Sequence, residues 1–260
     1  MTRYLLFFSY DGTCYHGWQI QPNGNSVQAE LQRALSLFLG KDITVYGAGR
    51  TDAGVHARRM AAHFDWDGEP LHCPQTVYRL NRILPRDISV ISMTEVPADL
   101  HARFSAVSRT YHYHIHTRKD PFSRHYSLQV NYRLDFPLMN EAAGLLLTQD
   151  DFAAFCKAGG DNKTTLCKVT EARWVDLGEG HWRFEITANR FLRNMVRAVV
   201  GTLLEVGRHK MSLERMREVM KTGSRSDAGE SVPAHALFLE DVVYALPSGS
   251  CDDGREQTNI

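Results

Sequence analysis

The chain has 260 residues, of which 43% are hydrophobic and 23% charged, a balance typical of a folded globular protein. Its 30 basic and 30 acidic residues cancel, so only local groups of cations could bind phosphates. No apolar run is long enough to span a bilayer, and residues 1–10 lack the regions of a signal peptide. The five cysteines are scattered without a Cys-x-x-Cys motif, so we expect a cytoplasmic protein with reduced thiols and no zinc cluster.

The first hundred residues predict alternating strands and helices. Runs rich in β-branched and aromatic residues predict strands at 4–8, 43–46, 60–64 and 88–93. Asn25 and Ser26 are candidate N-cap residues of a helix that Gly40 ends, and a second helix begins near Pro74 and ends at Pro85. The order strand, helix, strand, strand, helix, strand is that of a ferredoxin-like unit, in which two helices cover one face of a sheet.

The second half approximately repeats this order, without obvious repetition of sequence. Apolar alternation predicts strands at 108–116, 169–177, 182–188 and 236–244. Helical periodicity predicts helices at 137–147, 191–206 and 212–221. We expect an N-terminal domain at 1–108, a C-terminal domain at 109–247, a flexible loop at 159–163 and a disordered tail at 248–260.

A glycine-rich segment at residues 47–57 has the sequence Gly-Ala-Gly-Arg-Thr-Asp-Ala-Gly-Val-His-Ala. Its glycines allow the backbone to bend and to approach a ligand closely. If the segment is extended, Arg50 and Asp52 point to the same side, and the carboxylate could attack an anomeric carbon or stabilise positive charge there. The same two residues could equally form a surface ion pair or an Asx turn, and their spacing alone leaves both interpretations open.

The strand predicted at 108–116 places aromatic residues and histidines on opposite faces. Tyr111 shares one face with Tyr113, whereas His112, His114 and His116 share the other. Metal-binding histidines usually converge from different elements, so we expect no metal site here. On its sequence alone, Tyr111 could be a core aromatic residue of a half-buried strand.

Five segments together resemble the tRNA pseudouridine synthase A family. The most specific is Gly-Arg-Thr-Asp-Ala-Gly-Val-His-Ala at 49–57. The others are Gly-Trp-Gln-x-Gln at 17–21, Arg-x-Tyr-x-Tyr at 109–113, Asp-Phe-x-x-Phe at 151–155 and Met-Val-Arg at 195–197. The chain departs from the family at Ala236, where glycine is usual, and we expect the added methyl group to narrow the pocket floor slightly without abolishing activity.

The resemblance implies the pseudouridine synthase fold, an α+β architecture. In it, two ferredoxin-like halves join their mainly antiparallel sheets into one central sheet flanked by helices. The resemblance also implies a homodimeric isomerase that converts uridine to pseudouridine at tRNA positions 38–40, in the anticodon stem-loop, with no cofactor and no metal.

The same resemblance assigns roles to five residues. Asp52 attacks C1′ of the target nucleotide, or takes a proton from C2′ to form a glycal. Arg197 forms an ion pair with Asp52, and Arg50 holds the extruded nucleotide. Tyr111 and Leu237 sandwich the uracil, and Tyr111 is the nearest candidate to relay the proton that C5 must lose, although a free tyrosine is a poor base.

Two other classes of protein fit part of the pattern. A non-catalytic RNA-binding protein could use the same sheets, aromatic residues and basic groups. Basic groups occur at 58–59, 79–86, 118–125, 190–197 and 208–210. A small-molecule glycosidase could use Asp52 as nucleophile, but it normally needs a second carboxyl group as acid, and the motif segments offer none.

Overall fold

The computed structural model describes residues 1–22, 24–157 and 163–245. The loop predicted at 159–163, apart from its last residue, and the tail predicted at 248–260 lie outside the described residues. The fold is mixed α/β with a central sheet of nine strands flanked by helices, which confirms the predicted fold class. Contacts divide the described residues into two compact units, one within Met1–Val107 and 241–245, and one within Ser108–Glu240. Within the described ranges, no helix combines the length and the apolar character that a membrane span requires.

The first unit has the ferredoxin-like order of elements. They are β1 (Thr2–Tyr10), α1 (Val27–Leu39), β2 (Tyr46–Gly47), β3 (His56–Trp66), α2 (Cys73–Ile83) and β4 (Ile88–Val96). Strand β1 is antiparallel to β3 on one side and to β4 on the other, and β2 pairs with β3. Consecutive residues of β1, among them Leu5 and Leu6, are fully buried, so this central strand is covered on both faces.

Helix α1 has both of the predicted end signals. The Ser26 hydroxyl accepts a hydrogen bond from the backbone N–H of Ala29, and Gly40 follows the helix at a φ of 68°. That left-handed conformation costs glycine no side-chain clash, which is why the helix ends there. Four residues at helical spacing form its buried stripe: Val27, Leu31, Ala34 and Leu35.

The strand predicted at 43–46 is wrong, because only the two residues of β2 pair with the sheet. The backbone of Val45 is instead hydrogen-bonded to side chains of α1. Its N–H donates to Gln32 Oε1 at 3.1 Å, and its carbonyl accepts from Gln28 Nε2 at 2.8 Å. The apolar residues of this run are therefore buried against a helix, and their hydrogen bonds do not come from a neighbouring strand.

The second unit contains most of the remaining elements. They are β5 (Ala106–His116), β6 (Leu128–Gln129), α3 (Phe136–Leu145), β7 (Val169–Gly178), β8 (His181–Ala188), α4 (Met195–Gly207), α5 (Leu213–Thr222) and β9 (Leu237–Tyr244). Strand β8 is antiparallel to β5 and to β7, and β6 is parallel to β5. Residues 241–244 of β9 belong to the first unit.

The helix predicted at 191–206 begins four residues later than expected, at Met195. Asn194 has a φ of 65°, in the left-handed region, so the backbone before Met195 cannot continue the helix. Eleven of the 13 residues of α4 are buried, so the helix is covered on nearly all sides. Phe191 consequently lies in the connection that precedes the helix.

Candidate active site

Asp52 opens a tight turn between β2 and β3. The backbone N–H of Val55 donates to the carbonyl of Asp52 at 3.1 Å, and Gly54 has a φ of 77°. A side chain at this position of the turn would be strained, which explains the glycine. The side chain of Asp52 is half-buried. The carboxylate is thus presented by a turn of defined geometry.

Arg50 lies two residues before Asp52, on the irregular stretch between β2 and β3. Residues 50–52 are outside any strand, and Arg50 is exposed to solvent. Throughout the described parts of the chain, Arg50 forms no ion pair. Its guanidinium is therefore available to an external anion.

The turn lies directly on the segment at 10–18, which precedes α1. A Cβ atom on Gly12 would lie 2.0 Å from the carbonyl oxygen of Val55, and one on Gly17 would lie 2.5 Å from that of Thr51. The backbone N–H of Trp18 also donates to the Thr51 carbonyl at 3.2 Å. Glycine is required at both positions because backbone meets backbone there.

Buried polar contacts fix the chain on both sides of Asp52. The hydroxyl groups of Tyr10 and Thr51 are hydrogen-bonded at 2.8 Å. Beyond the turn, His56 is 1% exposed, and its Nδ1 accepts from the backbone N–H of Gly12 at 3.1 Å. Because buried polar groups are costly to leave unpaired, these contacts oppose movement of the Asp52 turn.

Tyr15 ties the same segment to the start of β4. Its hydroxyl donates to Asp87 Oδ1 at 2.7 Å, and its carbonyl accepts from the backbone N–H of Gly54 at 3.4 Å. Burial, followed by the hydrogen bond to Asp87, raises the pKa of the Tyr15 phenol, so it remains a neutral donor. The Asp52 turn is thus supported by the segment at 10–18, which is itself held by Asp87 at the start of β4.

In the second unit, Tyr111 lies in the middle of β5, opposite Ile186 of β8. Its ring meets that of Phe191 edge to face, with centroids 4.9 Å apart and planes at 80°. Aromatic pairs favour this arrangement, which holds the Tyr111 ring in one orientation. The helix predicted at 191–206 includes Phe191, and that prediction does not identify Phe191 as a neighbour of Tyr111.

Arg197 is held at the first turn of α4. Its Nε donates to the carbonyl of Val232 at 2.7 Å, and the backbone N–H of Val232 donates to the Arg197 carbonyl at 3.2 Å. The side chain is half-buried. Two hydrogen bonds to one residue fix both the backbone and the guanidinium of Arg197.

The segment that holds Arg197, residues 229–233, packs directly on α4. A Cβ atom on Gly201 would lie 1.8 Å from the carbonyl oxygen of Glu230. The hydroxyl of Thr202, which is fully buried, accepts from the backbone N–H of Gly229 at 2.9 Å. The signals that could have predicted this contact are a glycine and a threonine in the middle of an otherwise apolar helix.

Leu237 begins β9 and is 5% exposed. The ring of Phe238, the next residue, meets that of His114 at 5.3 Å, so these two side chains share a face of the sheet. Because side chains alternate along strands, Leu237 and Tyr111 both lie on the opposite face. Ala236, where the family usually has glycine, is fully buried.

The histidines of β5 have separate partners. His112 Nδ1 lies 3.1 Å from Glu240 Oε2, and His116 Nδ1 lies 2.9 Å from the hydroxyl of Ser127. Burial, with the nearby charge of His181 as a smaller cause, lowers the pKa of His116. In the part of the chain that the structure describes, no three His, Cys, Asp or Glu side chains form a group suited to a metal ion.

The fold and the motifs point to the pseudouridine synthase class, since residues 142–245 match the family model described as tRNA pseudouridine synthase. A relative from Bacteroides fragilis, named tRNA pseudouridine synthase A, is 54% identical over 242 residues, which cover 93% of this chain and 96% of the relative. Relatives of the same name from Porphyromonas gingivalis and Bacillus pumilus are 51% and 38% identical, over 94% and 91% of this chain and 98% and 96% of their own. The chain therefore belongs to the tRNA pseudouridine synthase A family, whose members are isomerases.

Proposed function

We propose that this protein isomerises uridine to pseudouridine at positions 38–40 of tRNA, in the anticodon stem-loop, without a cofactor. The observation that carries the proposal is the 54% identity, over 93% of the chain, to a relative named tRNA pseudouridine synthase A. The anchored turn at Asp52 supports it, because a nucleophile must be held in a fixed orientation to react efficiently.

Catalysis begins with extrusion of the target nucleotide, since a stacked base is inaccessible. Tyr111, whose ring Phe191 already orients, stacks on the uracil, and Leu237 contacts its other face. Arg50, which is exposed, binds a phosphate of the extruded nucleotide. These roles come from the family resemblance.

The Asp52 carboxylate then attacks C1′, and the N1–C1′ bond breaks with its electron pair passing to N1. The uracil turns, C5 bonds to C1′ as the carboxylate leaves, and the proton on C5 is lost. Tyr111 is the proposed relay for that proton, and Arg197 is the proposed ion-pair partner that keeps Asp52 anionic. In the alternative route, Asp52 takes a proton from C2′, and a glycal forms in place of the covalent ester.

We propose further that the protein works in the cytoplasm as a homodimer, on the strength of the same resemblance. Sedimentation equilibrium at micromolar concentration tests the assembly, with twice the chain's 29.5 kDa as the expected mass. A mass of one chain at all concentrations would contradict it.

Removal of the Asp52 carboxylate should abolish turnover without preventing tRNA binding. Wild-type protein should release tritium from tRNA transcripts labelled at uridine C5, whereas Asp52→Asn should bind the same tRNA and release tritium at least about a thousandfold more slowly. Asp42→Asn, which alters an exposed carboxylate ten residues away, is the control and should release tritium at the wild-type rate. A near wild-type rate for Asp52→Asn would show that Asp52 is not the nucleophile.

Transcripts with cytidine at position 38, 39 or 40 test the site of modification. Each replacement should reduce total tritium release by the fraction that comes from the replaced uridine. Replacement of all three uridines should abolish the release. Full release from the triply replaced transcript would leave the reaction class intact and refute the anticodon stem-loop as its target.

A further inference from the structure

The loop between β5 and β6, residues 117–127, presents aromatic and basic side chains to solvent. Phe122 is 91% exposed, an unusual degree for a phenylalanine. Arg118, Lys119 and Arg124 are exposed as well. Over residues 1–22, 24–157 and 163–245, none of these three cations forms an ion pair. The loop thus combines a large apolar ring with three uncompensated positive charges.

The tip of the loop is ordered by Asp120. Its carboxylate accepts hydrogen bonds from the backbone N–H of Phe122 at 2.9 Å and from the hydroxyl of Ser123. The backbone N–H of Tyr126 then donates to the Ser123 carbonyl at 3.0 Å. The only acidic side chain of the loop is thereby occupied, and Phe122 is held outward.

The base of the loop rests on the turn between β7 and β8. The backbone N–H of Thr117 donates to the carbonyl of Gly180 at 2.9 Å. A Cβ atom on Gly180 would lie 2.7 Å from the Thr117 hydroxyl and 3.2 Å from Cγ of Arg118. The stem of Arg118 therefore lies on backbone, which leaves its guanidinium at the surface.

We propose that loop 117–127 is an RNA-contact surface for the tRNA substrate. Arg118, Lys119 and Arg124 bind backbone phosphates, and Phe122 stacks on an unpaired base. The inference rests on the proposed function and extends it to a region that none of the recognised motifs covers.

Charge decides between RNA and a second protein chain as the partner. A protein surface would have to bury three cations and supply three acidic groups, because an unpaired buried charge is costly. A phosphate backbone supplies those charges at regular spacing, and every base offers a face to an aromatic ring. The cation-flanked aromatic tip is therefore the arrangement that single-stranded RNA recognition favours.

Phe122 substitutions test stacking. Affinity for an unmodified tRNA transcript, measured by fluorescence anisotropy, should fall about tenfold in Phe122→Leu and return to wild type in Phe122→Tyr. The slope of log affinity against log salt should not change in either variant, since no charge is removed. Leu37→Ser, at an exposed apolar residue of α1, is the control and should bind as wild type.

The double substitution Arg118→Gln with Lys119→Gln tests the phosphate contacts. It should weaken binding about tenfold at low salt and reduce the magnitude of the salt slope by roughly 0.7 to 0.9 per lost contact. Arg215→Gln with Arg217→Gln, which removes two ion-paired cations of α5, is the control and should keep the wild-type slope.

The outcomes separate this inference from the proposed function. If wild type isomerises tRNA but the loop variants bind it as tightly and with the same slope, the RNA-contact surface is refuted and the function stands. If wild type neither binds nor modifies tRNA, the function fails and the inference with it. If Phe122→Leu lowers the molecular mass in solution and leaves RNA affinity unchanged, the loop contacts a second copy and the inference is refuted.

Discussion

At the scale of single residues, Gly12 matters to the candidate nucleophile although it is 40 positions away in sequence. A side chain on Gly12 would displace the carbonyl of Val55, which closes the turn that begins at Asp52. The two glycines of the segment at 10–18, Gly12 and Gly17, thus determine how closely it can support the turn. Because backbone packs directly on backbone here, a small displacement of the segment at 10–18 would also displace the Asp52 carboxylate.

We therefore predict that Gly12→Ala lowers kcat about a hundredfold by shifting Asp52, and lowers the free energy of unfolding by about 1–3 kcal/mol. Gly144→Ala, where the built Cβ atom meets nothing within 4 Å, is the matched control. Tritium release under saturating tRNA and urea denaturation measure the two effects. Wild-type kcat in Gly12→Ala would mean that the segment at 10–18 does not position the nucleophile.

His63 of β3 is a buried titratable group that the proposed mechanism does not use. It is 2% exposed, its Nδ1 accepts from the backbone N–H of Ala102 at 3.1 Å, and its ring stacks on Tyr46 at 5.1 Å. Burial, then the positive charges of Arg3 and His101, lowers the pKa of His63 from 6.5 to about 4. The folded protein therefore keeps His63 neutral where the unfolded chain would protonate it.

The sign of the pH dependence follows from that difference. Between pH 6.5 and about 4 the unfolded state binds a proton that the native state does not, so stability falls as pH falls and levels off below about 4 for this group. The full difference corresponds to about 3 kcal/mol of unfolding free energy. We predict that wild type loses up to this amount relative to His63→Gln when urea denaturation is repeated from pH 7 to pH 4. A constant difference between the two proteins would contradict the assignment.

At the scale of elements, the sequence predicts best where periodicity and end signals coincide. Helix α1 has a capping serine, a regular apolar stripe and a terminal glycine, and the structure confirms its predicted limits. Helix α4 has no polar face, because it is buried nearly all round, so the apolar pattern could not show where it begins. Its start depends on the backbone of Asn194, which the pattern of apolar residues does not encode.

Around β2 and in the candidate site, too, local patterns could be read from the sequence, whereas features that depend on tertiary contacts could not. The apolar run at 43–46 looks like a strand, but amide side chains of α1 bind its backbone, and that competition depends on tertiary structure. Asp52 could be proposed as the nucleophile because the string around it is rare. Gly201 and Thr202 indicate that some segment packs closely on α4, but the hydrogen bonds between Val232 and Arg197 involve backbone groups that have no signature in sequence.

At the scale of the whole molecule, the last described residues of the chain complete the first unit. Asp241 forms an ion pair with Arg59 at 2.7 Å, and the Tyr244 hydroxyl donates to the carbonyl of Ala102 at 2.5 Å. The guanidinium of Arg59 lies 3.7 Å above the ring of Phe7, a residue of the central strand. Residues 241–244 are therefore part of the unit that carries Asp52.

We predict that a chain ending at residue 240 is unstable, whereas one ending at residue 247 unfolds like the full chain. The shorter chain loses the last four residues of β9, a strand that lies next to β3, and with them the partners of Arg59 and Ala102. The longer one loses only the segment that its composition predicts to be disordered. Urea denaturation followed by tryptophan fluorescence compares the two proteins with wild type.

A milder variant keeps this test informative if the chain of 240 residues fails to fold. Asp241→Asn with Tyr244→Phe removes the ion pair and the hydrogen bond but keeps the strand, and it should cost about 1–3 kcal/mol of unfolding free energy. Exchange of the β3 backbone amides should quicken in the same variant, because these contacts hold the strand beside β3. Wild-type stability in both the double variant and the chain ending at 240 would show that residues 241–244 do not stabilise the first unit.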